Sequence, residues 1–213
     1  MTYVGRQEAD EVRSMAMGLL GSGLYAADHH EDALPVREAE VAMLRRVGGS
    51  EEELLDAQGN LASTYGELGQ LEESLSIERD VYSGHARLNG EEHESTLRAA
   101  NNYAVSLRDL KRFEETKALL RKTMPVARRV LGENDELTLR MRWNYAQSLY
   151  KDDGATLDDL REAVATLAEI EPTARRVFGS AYPTTEGIAD EFRYAREALR
   201  ARETPSPSPS ESS

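Results

Sequence analysis

The chain has 213 residues, a net charge of −13 and no cysteine, with a mean hydropathy of −0.60. The acidic balance argues against nucleic acid or an anionic membrane as partner, and the missing thiol excludes disulfides, thiolate catalysis and zinc–cysteine sites. No apolar run approaches the roughly 18 residues of a membrane span, and the first seven residues lack the apolar core of a signal peptide, so a cytoplasmic protein is expected.

Residues 1–7 are expected to be disordered. A helix is predicted over about 8–26, although Gly18, Gly21 and Gly23 each weaken it by roughly 1 kcal/mol relative to alanine. A second helix is predicted over 30–47, with Ala33, Leu34, Ala39, Met43 and Leu44 on its apolar side. Ser50-Glu51-Glu52-Glu53 then reads as a capping box, in which hydroxyl and carboxylate reciprocally satisfy the unpaired amides of a helix start. That helix runs to about Leu68, where Gly69 ends it. Another follows from Leu71 to about Leu88, with Gly90 as its stop, since glycine tolerates the left-handed conformation that closes helices. The pattern recurs with helices over about 95–110 and 113–131, closed by Gly132. Pro125 lies inside the second of these, and the lost backbone donor predicts a kink. A helix over 137–150 is followed by a longer turn around 152–155, and Pro172 is expected to interrupt the end of the next helix. One further helix, over 184–202, has no partner after it. The Ser/Pro tail of residues 203–213 is expected to be disordered.

A phrase recurs along this pattern. Gly59-Asn60-Leu61-Ala62, Asn101-Asn102-Tyr103-Ala104 and Trp143-Asn144-Tyr145-Ala146 are each 42 residues apart, as are Gly48, Gly90 and Gly132. The step grows to 47 between Gly132 and Gly179, so the insertion falls in an inter-helix turn. Self-similarity at such a period marks a stack of identical helix pairs, in which each unit buries a face only against its neighbours. The predicted fold is all-α, an α-solenoid of about four helix-turn-helix repeats (8–48, 50–90, 95–132 and 137–179) plus a C-terminal capping helix (184–202).

The copies Asn89-Gly90-Glu91-Glu92-His93-Glu94-Ser95-Thr96-Leu97 and Leu131-Gly132-Glu133-Asn134-Asp135-Glu136-Leu137-Thr138-Leu139, with Asn60-Leu61-Ala62-Ser63-Thr64-Tyr65, resemble tetratricopeptide (TPR) repeats of the kinesin-light-chain-like type. The resemblance covers roughly residues 8–202. It implies a right-handed superhelix whose concave groove binds a peptide. No heptad region for a kinesin heavy chain is present, so the resemblance carries the fold and binding mode and not the motor.

Leu61, Ala62 and Tyr65, and their counterparts Tyr103, Ala104, Leu107, Tyr145, Ala146 and Leu149, follow the packing stripe. Asn60, Asn102 and Asn144 stand one position before it, and Asn101 precedes the second. The resemblance implies that the recurring asparagines project into the groove and hold a ligand backbone. A mid-helix asparagine is intrinsically unfavourable, and its amide offers both donors and an acceptor. The alternative is that these amides satisfy the helix ends of a neighbouring repeat. Arg98 and Arg140 lie four residues before Asn102 and Asn144, on the same helix face, with Arg108 and Lys151 farther along. Together they would form a basic groove suited to an acidic peptide or a C-terminal carboxylate. The alternative is pairing with the surplus Glu and Asp. Asp56 occupies the matching place in the second repeat, which confines any basic patch to the C-terminal half. Trp143 is either an aromatic anchor or a residue packed between repeats.

No catalytic constellation stands out. Gly18 to Gly23 lacks the strand and the Lys-Ser/Thr of a phosphate loop. His29-His30-Glu31-Asp32 offers too few converging groups for a metal, so neither metal nor cofactor is expected. The expected function is that of a monomeric, non-enzymatic scaffold or adaptor that binds an extended, acidic peptide of a partner protein. The alternative is a structural or regulatory module of a larger assembly that binds through its convex face or its Ser/Pro tail.

Overall fold

The computed structural model describes residues 3–204. Among the described residues there are nine helices and no strand. They fall into two compact units, residues 1–110 and 111–213.

The first unit holds α1 (Tyr3–Ala26), α2 (His30–Val47), α3 (Glu51–Glu67), α4 (Leu71–Asn89) and α5 (Glu94–Asp109), each packed on the next. The helix starts are built locally. At α3 the Glu53 amide donates to Ser50 Oγ (3.2 Å) while Glu53 Oε2 accepts from the Ser50 amide (2.8 Å), the expected capping box. These hydrogen bonds hold the Glu53 carboxyl below its ordinary value. Val41 and Leu44 from α2 meet Ala57 and Leu61 from α3, and Leu34, Leu54, Tyr65 and Ile77 close the edge of that core. On α1 two glycines have a packing reason. Gly18 and Gly21 lie over Arg37 and Glu40, a buried pair joined at 3.3 Å. A Cβ at either glycine would come within 2.8 Å of Glu40 Oε1 or Arg37 Nε. The close approach lets Arg37 donate to Ser22 Oγ (3.0 Å) and to the Gly18 carbonyl (3.4 Å).

The second unit holds α6 (Phe113–Val130), α7 (Glu136–Tyr150), α8 (Leu157–Phe178) and α9 (Pro183–Glu203). Successive helices pack together, and α7 also touches α9. Leu139, Met141, Leu149, Leu167, Ile170 and Ile188 form its fully buried apolar interior. Thr156 and Asp159 make a second capping box at the start of α8, directly after the inserted turn.

Three details differ from the sequence expectations. The stretch expected to be disordered at 1–7 is helical from Tyr3 onward. Pro172 does not interrupt its helix, because α8 continues to Phe178. Pro125 lies inside α6, and both prolines are on the exposed side, where the freed carbonyl reaches water. The capping helix extends through Glu203, and the remainder of the Ser/Pro tail, 205–213, lies outside the described residues. The glycine stops behave as read: Gly48, Gly90, Gly132 and Gly179 all have positive φ. The Gly69 turn (φ 75°) has its counterpart 42 residues on at Lys111, a side-chain-bearing residue at φ 58°.

Candidate functional site

The helices α3, α5 and α7 each present the recurring asparagine, as Asn60, Asn102 and Asn144, but these amides and that of Asn101 do not share one environment. In the first unit Asn60 is exposed on α3 and Asn102 half-buried on α5, and these two helices touch. Neither side-chain amide makes a hydrogen bond within the described residues. Asn101, one residue away, is 1% exposed and already engaged. In the second unit Asn144 is 5% exposed on α7 and is also engaged. Asn144, expected to project into the groove, is instead buried, as is Asn101. A helical step of one residue turns the side chain by 100°, which takes Asn101 from the solvent side into the packed side. Asn144 has the same phase as Asn60 but is covered where Asn60 is open.

The expected basic groove is largely neutralised from within. Arg98 is exposed and pairs with Glu94 at 2.5 Å on its own helix. Arg108 pairs with Asp109 at 2.8 Å. Lys151 donates to Glu191 at 2.8 Å, and Gln147 donates to the same oxygen at 2.7 Å. Arg140 is exposed on α7, and no ion pair engages it among the described residues. Pairing wins for the others because a chain with 39 acidic and 26 basic residues supplies a carboxylate within reach of most cations. Exposed pairs of this kind are worth little, so they yield readily to a better partner. In the first unit Asp56 stands where the later repeats carry Arg98 and Arg140. Burial raises its pKa, while His85 (3.5 Å) and Arg98 act in the opposite direction. The α3–α5 face is thus mixed in sign.

Trp143 packs and does not stand free. It is half-buried, and a Cβ at Gly187 on α9 would lie 2.5 Å from its ring, so the glycine admits the indole. Its Nε1 has no hydrogen-bond partner among the described residues.

Two features escaped the sequence reading. Glu191 occupies, after the 47-residue step, the place of the recurring asparagine, and that alignment would have found it. Glu78 on α4 is 2% exposed at a position where the later repeats carry Leu120 and Leu167. Desolvation pushes its pKa up to about 8. No group of three or more His, Asp or Glu suited to a metal occurs among the described residues, and His30 instead pairs with Asp28 at 2.8 Å. No described helix is long and apolar enough to cross a membrane. Gly18 to Gly23 lie within α1, which excludes a phosphate-cradling loop there.

Two sequence profiles, both described as tetratricopeptide repeat, match residues 54–95 and 95–169. Among solved structures, the chain is similar to the nearly identical TPR-like repeats named for a kinesin light chain of Podosopora anserina. The TM-score is 0.71 at 21% identity, covering 90% of each chain. A Q17M form of the same repeats gives a TM-score of 0.72 at 21% identity, covering 90% of this chain and 89% of that one. BtubC (BKLC) from P. vanneervenii aligns over 100% of this chain and 97% of its own, with a TM-score of 0.60 at 13% identity. No curated protein matches the chain.

Proposed function

Because the chain belongs to the tetratricopeptide repeat family, we propose that it is a scaffold that holds an extended segment of a partner protein against the exposed faces of its first-of-pair helices. It is an all-α TPR solenoid with kinesin-light-chain-like repeats, a build that serves protein–protein interaction. In the first unit the contact residues are Asn60 and Asn102, with Arg98 released from Glu94 to meet a carboxylate. In the second unit Arg140 carries the same role alone. The partner segment is extended and acidic, and a backbone held by side-chain amides leaves its own side chains free to vary.

One observation carries this reading. Asn60 and Asn102 recur at one phase of the 42-residue step, sit mid-helix, the first exposed and the second half-buried, and spend no side-chain hydrogen bond within the described residues. A helix interior disfavours asparagine, so an amide kept there without an internal partner is explained by an external one.

The test is selection from a displayed library of random peptides against wild type and the Asn60→Ala, Asn102→Ala double variant. Sequences enriched in Asp and Glu should be captured by wild type and lost by the variant, whose melting temperature should stay near wild type. Equal capture of the same peptides by both proteins would move binding off this face.

A further inference from the structure

The solvent side of α1 is apolar where a surface helix is ordinarily charged. Val12, Met15 and Leu19 are 68%, 69% and 69% exposed, and Leu20 is 54% exposed. Helical spacing puts them on one stripe with Ala16 and Gly23, opposite the side on which Gly21 meets Arg37. From Ser14 to Ala26 the helix carries no charged residue. Single exposed apolar residues are normal, whereas a contiguous stripe marks a surface that something covers.

Gly23 is an independent observation. Gly18 and Gly21 are accounted for by Glu40 and Arg37. A Cβ at Gly23, by contrast, would meet nothing within 4 Å. Glycine there weakens the helix, and no contact inside the described chain requires it. The open space beside Gly23 leaves room for a backbone from outside to approach closely.

We propose that α1 pairs antiparallel with α1 of a second copy of this chain, about a two-fold axis passing between Ala16 and Leu19. In that register Val12 lies opposite Gly23, Leu19 opposite Ala16, and Met15 opposite Leu20. Val12 and Leu19 thus face small residues while Met15 and Leu20 meet each other at the flanks, so the stripe is complementary to itself, as a two-fold interface requires. The uncharged seam also escapes the like-charge repulsion that a net charge of −13 imposes on contact through other faces. A charged partner would find no counter-charge on it. With one helix from each copy, the interface is at the small end of the range and the dimer is reversible.

Sedimentation equilibrium of the full chain between about 1 µM and 1 mM tests the pairing. Wild type should pass from monomer to dimer across that range. Leu19→Glu should remain monomeric throughout with unchanged helical circular dichroism, since the site is open to water in the monomer. Gly23→Leu should weaken dimerisation at least tenfold even though leucine is the better helix former, the opposite of what helix propensity alone does to the folded chain. The absence of cysteine allows a check of register. Chains carrying Val12→Cys mixed with chains carrying Gly23→Cys should form the mixed disulfide in preference to either homodimer. Two copies of position 12 would be separated by about 16 Å along an antiparallel pair, beyond disulfide reach. Wild type that stays monomeric to 1 mM overturns the proposal and leaves the stripe to a different partner. A dimer that survives Leu19→Glu, or homodisulfides as abundant as mixed ones, overturns it equally.

Discussion

Glu78→Leu should stabilise the protein, and by an amount that depends on pH. Glu78 is 2% exposed on α4, and its Oε2 accepts no hydrogen bond among the described residues. The matching positions of the later repeats hold Leu120 and Leu167, both 0% exposed, so the site accepts leucine without overpacking. Desolvation moves the carboxyl from its ordinary 4.5 to about 8 in the folded chain. At pH 7 the unfolded chain carries the charge, and folding must take up a proton at a cost of about 3 kcal/mol. The folded state binds more protons than the unfolded state between the two values, so this contribution to stability is complete below pH 4.5. It declines as pH rises, by up to about 1.4 kcal/mol per pH unit, and levels off above pH 8. Urea unfolding followed by circular dichroism at pH 5, 6, 7 and 8 measures it. Glu78→Gln should remove the slope while keeping the buried polar group. Glu78→Leu should remove the slope and gain about 3 kcal/mol at pH 7, with a much smaller gain at pH 5. If wild type and Glu78→Gln lose stability in parallel from pH 5 to 8, Glu78 is not the group that takes up the proton, and the reasoning fails.

Gly187→Ala should destabilise by about 1–3 kcal/mol, because the new Cβ would fall 2.5 Å from the Trp143 ring, even though alanine favours a helix. Trp143 is the single tryptophan, so its fluorescence during denaturation reads the second unit directly. Lys111→Gly should stabilise by about 0.5–1 kcal/mol by relieving a left-handed turn that glycine fills at Gly69, less the entropy glycine adds to the unfolded chain. A thermal melt showing a loss would mean that the lysine side chain contributes more than its backbone strain costs. Ser50→Ala should cost about 1 kcal/mol through the lost capping box at α3, with the shift in urea midpoint as the measure.

The repeat step, the order of the helices and most of their ends are legible in the sequence. These features are local. A capping box is satisfied within four residues, as at Ser50–Glu53, and a left-handed stop depends on the glycine at that place, as at Gly48 or Gly132. Local reasoning went wrong where neighbours compensate, as at Pro172, whose exposed position lets α8 run on. The candidate site was legible only as a set of residue types at a phase. Whether each amide is open was decided by tertiary structure, because Asn60 and Asn144 share one repeat position yet are exposed and buried respectively. The partner of each cation was decided the same way: Lys151 meets Glu191, 40 residues on, from another helix. Trp143 became a packed residue through Gly187, 44 positions along the chain. Such contacts depend on which faces the helices turn to one another, and periodicity states that a face exists without stating what covers it.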